Sequence, residues 1–128
     1  MLACTSNLRE LFRHEDREAF IRRAVEIAGC RQLIFKLHPN ENVERATREI
    51  TAYAPGAMVF TDGSAEEMIA NCDALITRFS STAFVGVALG KDTYSDFAMD
   101  KLRRLMPLQN DSAALNIANV CRRVLEEK

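Results

Sequence analysis

Short apolar runs alternate along this chain with longer amphipathic stretches, and that alternation constrains the fold more than any single motif. Leu2–Thr5 reads as a strand, followed by a polar Ser6-Asn7 turn and a helix from about His14 to Ala28, closed by Gly29. Phe20, Ala24, Ile27 and Ala28 recur at helical spacing and so share one buried stripe. Gln32–Leu37 is a second strand. The His38-Pro39 dipeptide ends it, because the residue before proline prefers extended geometry and Pro39 has no N–H for a ladder bond.

The same rhythm continues. Asn42 to Ala54 is a helix stopped by Pro55-Gly56, and Ala57–Phe60 is a third strand. Ser64, with Glu67 three positions on, has the form of a capping box. Ala74–Thr77 is a fourth strand, Ser81 to Leu89 a helix of small residues with Gly90 as its C-cap, and Asp92–Tyr94 a weak fifth strand. A last helix begins at Asp111 or Ser112 and carries Ile117, Val120, Cys121, Val124 and Leu125 on one face. Strand–helix–strand repetition of this kind specifies a parallel sheet with helices on both faces. The expected architecture is α/β: a three-layer αβα domain over residues 1–128, with a Rossmann-like sheet of four or five strands.

Composition narrows the function classes. With 128 residues the chain has room for one core, and 48% hydrophobic with 27% charged residues is ordinary globular content. Seventeen Lys+Arg against eighteen Asp+Glu leave a net charge of −1, so no basic field points to nucleic acid or anionic lipid. The apolar runs are too short for a membrane span, and Met1–Cys4 is too brief for a signal peptide. Cys4, Cys30, Cys72 and Cys121 are widely spaced, with no C-x-x-C pair and no His nearby, which predicts buried free thiols, no metal site and a cytoplasmic location.

In an open parallel sheet, ligands bind outside the carboxyl ends of the strands. Polar side chains gather there in this sequence: Ser6 and Asn7 after the first strand, His38 after the second, Asp62 and Ser64 after the third, and Thr77, Arg78, Ser80, Ser81 and Thr82 after the fourth. Ser80-Ser81-Thr82 opens a helix directly after a strand, an arrangement suited to a phosphate or diphosphate, and Arg78 would add a bidentate grip. His38 is the candidate hydrogen-bond donor to a phosphate, or a general acid or base, whereas His14 sits among surface charges. No G-x-G-x-x-G, P-loop or G-x-S-x-G sequence is present, and no residue is singled out as catalytic. No cofactor is implied.

Three segments together resemble a known group. Phe35-Lys36-Leu37-His38-Pro39-Asn40-Glu41 is similar to the K-x-H-P turn in the C-terminal, donor-binding domain of bacterial GT-B glycosyltransferases. The capsular polysaccharide and glycerophosphate transferases are nearest in pattern, and the UDP-N-acetylglucosamine 2-epimerases more distant. Cys72-Asp73-Ala74-Leu75-Ile76-Thr77-Arg78-Phe79-Ser80-Ser81 resembles their "cD-x-x-I-T-x-x-S-S" strand and turn, and Leu89-Gly90-Lys91 their "l-G-k". The likeness runs from residue 31 to 95, about half the chain.

It implies a domain that holds a nucleotide diphosphate sugar or a CDP-linked donor, with His38 approaching the donor phosphates and Ser80 and Ser81 binding the diphosphate. Transfer then needs an acceptor domain, supplied by an N-terminal partner, and proceeds by positioning and charge stabilisation between the halves. The relatives place a ribose-binding acid where this chain has Phe84, Val85 and Gly86. That departure motivates a different expectation, a non-catalytic α/β interaction module, docking on a partner or a second copy in a homodimer. A receiver-like signalling domain would need clustered acids, which Asp62 and Asp73 do not supply.

Overall fold

The computed structural model describes residues 1–11 and 13–105, and beyond them Asn119 and Arg122. The helix expected from Asp111 or Ser112, and Cys121 with it, therefore lies outside the described residues. Five strands, β1 (Leu2–Cys4), β2 (Ile34–Lys36), β3 (Met58–Phe60), β4 (Ala74–Ile76) and β5 (Asp92–Tyr94), form one sheet in the order β3-β2-β1-β4-β5. Every pairing is parallel. Between the strands run α1 (Arg17–Ala28), α2 (Val43–Tyr53), α3 (Ala65–Ala70) and α4 (Thr82–Ala88), and α5 (Met99–Leu105) follows β5. This is a Rossmann-like α/β fold.

Alternation along each strand divides the core between two faces. Ala3, Phe35, Leu37, Ala74 and Ile76 meet Phe20, Ile21 and Ala24 of α1 and Ala46 and Ile50 of α2. Leu2, Cys4 and Leu75 meet Ile69 of α3, with Met68 and Val85 packed at the margin. Central β1 is buried on both faces, so Leu-Ala-Cys carries no outward polar residue. The chain adds strands outward from β1 through β2 to β3, then returns to β4 on the other side. The switch point, where a crevice opens in such sheets, therefore lies between β1 and β4.

Several boundaries differ from the sequence expectation for identifiable reasons. Helix α1 starts at Arg17 because Asp16 caps it, accepting the Ala19 N–H at 2.9 Å. Its buried stripe includes Ile21, while Ile27 is only partly buried. At Ser64 one half of the capping box forms: Oγ accepts the Glu67 N–H at 3.2 Å, but the hydroxyl donates to Glu66. Ser81 is already in the right-handed helical region and makes no side-chain cap bond; Ser80 Oγ instead accepts the Thr82 N–H at 3.3 Å. The thiols correct the expectation of uniform burial, because Cys4 is buried, Cys72 half-buried and Cys30 exposed. Among the described residues no helix is long and apolar enough to cross a membrane.

Candidate functional site at the carboxyl edge of the sheet

A cleft of about 310 Å³ opens at the carboxyl ends of β1, β2 and β4, lined by Thr5, Lys36, His38, Ser64, Glu66, Ser80 and Thr82 among others. A cavity of about 440 Å³ lies elsewhere, against Met1, Ile34, Phe60 and Met68, but its walls are mainly carbon. The smaller cleft gathers a lysine, a histidine, a glutamate and four hydroxyls.

Lys36 is the charged group buried deepest among them. It is 6% exposed, and its Nζ donates to the carbonyls of Leu37 and Thr61, each at 2.9 Å. An ammonium has three N–H donors, so one is left beyond these two carbonyls, and Lys36 lines the cleft. No carboxylate among the described residues pairs with it within 4.0 Å, and a buried cation balanced only by carbonyl dipoles favours an anion beside it.

The position of His38 is set from below. Glu41 accepts the His38 N–H at 3.0 Å, and Thr5 Oγ1 accepts the same N–H at 3.1 Å. The Thr5 hydroxyl donates to Glu41, and Arg17 Nη2 grips the other carboxylate oxygen. Glu15 lies 3.0 Å from that guanidinium. His38 Nδ1 accepts the Asn40 N–H at 3.1 Å, so the neutral ring carries its proton on Nε2 and can act there as a donor.

The serine turn contributes less backbone than its sequence promises. Thr82 N–H is spent on Ser80 Oγ, Ala83 N–H on the Ser80 carbonyl at 3.1 Å and Phe84 N–H on the Ser81 carbonyl at 3.0 Å. What remains is a hydroxyl chain. Thr82 Oγ1 lies 2.9 Å from Ser80 Oγ and 3.3 Å from Thr77 Oγ1. Ser80 Oγ accepts from the Thr82 N–H and O–H, which leaves its own proton for the cleft.

The expected site residues thus separate into two sets. His38, Ser64, Ser80 and Thr82 line one cleft, with Thr77 buried behind Thr82. Arg78 turns aside to Asp96, Nε to Oδ2 at 2.8 Å. Ser6 donates to Glu15 at 2.7 Å, Asp62 accepts from Thr61 at 3.2 Å, and Ser81 and Asn7 do not line the cleft. Two cleft residues escape a sequence reading: Lys36, whose strand position marks it as core, and Glu66, which reads as an ordinary first-turn acid. Its own backbone N–H and the Ser64 hydroxyl hold the Glu66 carboxyl below the usual range, so it is ionised at neutral pH. The K-x-H-P spacing is the signal that could have found Lys36.

Among the described residues no three His, Cys, Asp or Glu side chains come together as a metal-binding group. No protein-family model, curated protein or solved structure matches the chain.

Proposed function

We propose that this domain binds a phosphorylated ligand at the carboxyl edge of its sheet, as the donor-binding half of a cytoplasmic glycosyltransferase-type enzyme whose acceptor half is a separate domain or partner. The observation that carries the reading is the buried Lys36, which lines the cleft with its ammonium held by two carbonyls and, among the described residues, no carboxylate partner. His38 Nε2–H and the Ser80 hydroxyl are further neutral donors on the same walls. The resemblance of residues 31 to 95 to GT-B donor domains narrows the ligand class to a nucleotide diphosphate sugar or a CDP-linked donor.

Thermal unfolding in millimolar UDP or CDP tests the reading. A ligand at 100 times its Kd contributes about 2.7 kcal/mol, a clear rise in Tm. The rise should fall to about half or less in Lys36→Met, which weakens the ligand about tenfold or more. Equal shifts in both proteins, or none with either nucleotide, remove the proposal.

A second reading, a docking module, rests on a different observation. Phe79 and Phe84, 60% and 42% exposed, both pack edge-on against Phe97 at centroid distances of 5.3 and 5.7 Å. An exposed aromatic cluster of this kind is what a partner domain or a second copy would cover. A concentration-independent monomer by sedimentation counts against the homodimer form of this reading.

A further inference from the structure

The cleft carries opposite charges on its walls. Lys36 supplies a buried ammonium, and Glu66 presents an ionised carboxylate from the first turn of α3. The two do not pair within 4.0 Å, so neither neutralises the other by contact. The hydroxyl proton of Ser64 is spent on Glu66 Oε2 at 3.0 Å, which fixes that carboxylate and removes Ser64 as a donor to any ligand.

A site for bare phosphate gains nothing from a carboxylate on its wall, because like charges repel and the acid offers the anion no donor. A carboxylate does recognise hydroxyls, which donate to it in charge-assisted bonds. We infer that the cleft selects phosphoesters whose organic part bears hydroxyl groups, the phosphoryl group meeting Lys36, His38 Nε2 and Ser80 while the hydroxyls donate to Glu66. This rests on the phosphorylated-ligand reading above and adds the substrate feature that the acid requires. A volume of about 310 Å³ is at the small end of ligand pockets and suits the sugar- or polyol-phosphate end of the donor proposed above.

Calorimetry with the whole chain and three probes tests it: inorganic phosphate, glucose 1-phosphate and cyclohexyl phosphate, the last two alike in ring size and charge but not in hydroxyls. Glucose 1-phosphate should bind about tenfold or more tighter than cyclohexyl phosphate, since a site built to receive hydroxyls rejects an analogue without them. In Glu66→Gln that preference should shrink, while inorganic phosphate should bind about two- to fivefold tighter as a like charge is removed. The opposite signs cannot come from loss of fold, and Glu66 is exposed, so the variant should fold. Equal binding of the two ring phosphates, or a parallel change of all three probes in Glu66→Gln, overturns the inference and leaves the phosphate reading standing. Binding of none of the three to the unaltered chain removes both.

Discussion

The carboxylate of Glu41 accepts the backbone N–H of His38 at 3.0 Å and so ties the turn that carries the imidazole to the buried interior. The Glu41 N–H returns to the His38 carbonyl at 3.0 Å, which closes the turn on itself. Behind it, the Arg17 guanidinium lies between two buried acids, Glu15 and Glu41, and it also donates to the Ser6 carbonyl at 3.0 Å. The loops after β1 and β2 and the start of α1 are thereby joined at one charged hub beneath the cleft.

That hub predicts an asymmetry between its members. Arg17→Met leaves two buried carboxylates with no cation, a break that costs about 3–5 kcal/mol. Glu41→Gln keeps an oxygen for the His38 N–H and leaves Arg17 paired with Glu15, so it should cost less, about 1–3 kcal/mol. Urea unfolding of the two variants measures the order; a larger loss for Glu41→Gln would mean that Arg17 is not the centre of the network.

Cys4 predicts a pH dependence. Burial first, and the neighbouring Cys72 second, push its thiol from 9.0 up to about 12. The folded state therefore keeps a proton that the unfolded chain releases. The stabilisation is complete below pH 9 and is lost as pH rises from 9 to about 12, by about 1.4 kcal/mol for each pH unit. Cys4→Ala should unfold with a flatter pH profile in that window. At pH 8, alkylation should reach exposed Cys30 quickly and Cys4 only on unfolding. An identical slope in Cys4→Ala would contradict the burial argument.

Gly86 lies inside α4, where alanine would ordinarily be worth about 1 kcal/mol of helix stability. Here a Cβ would stand 2.5 Å from Thr93 Oγ1 and 2.7 Å from Leu75 Cδ2. Leu75 is fully buried and Thr93 nearly so, and neither has room to withdraw. Overpacking of this kind costs about 1–3 kcal/mol, so Gly86→Ala should destabilise the protein despite its better propensity. Adding Thr93→Ala should recover part of the loss, as a double-mutant cycle in denaturant would show. Additive effects of the two changes would place the crowding elsewhere.

Where the sequence was legible, one physical signal dominated. Apolar runs bounded by His38-Pro39, Pro55-Gly56 and Gly90 located all five strands, even the weak Asp92–Tyr94, because chain reversals and buried parallel strands leave local marks. The site was less legible because its assembly is nonlocal. Ser80 and His38 face one cleft only through the pairing of β1 with both β2 and β4. The side of the serine turn from which Arg78 projects depends on Asp96, eighteen positions away. Lys36 is marked locally only by its K-x-H-P spacing: its strand position reads as core, and the Thr61 carbonyl that helps hold its ammonium inside lies 25 positions on.

Arg78 gives the sharpest contrast with the sequence expectation. Its Nε donates to Asp96 at 2.8 Å, Asp96 also receives Arg23 at 3.0 Å, and the Arg78 side chain is 26% exposed. A partly solvated pair of this kind is worth under about 1 kcal/mol, so Arg78→Met should lower stability only slightly. Arg78 does not line the cleft, so to grip a phosphate there the guanidinium would have to leave Asp96. Arg78→Met should therefore hold inorganic phosphate within about twofold of the unaltered chain, whereas Lys36→Met, which removes a charge-assisted donor, should weaken it about tenfold or more. A tenfold loss in Arg78→Met would show that the ligand draws Arg78 from Asp96, restoring to it the bidentate role that its place between Thr77 and Ser80 implies.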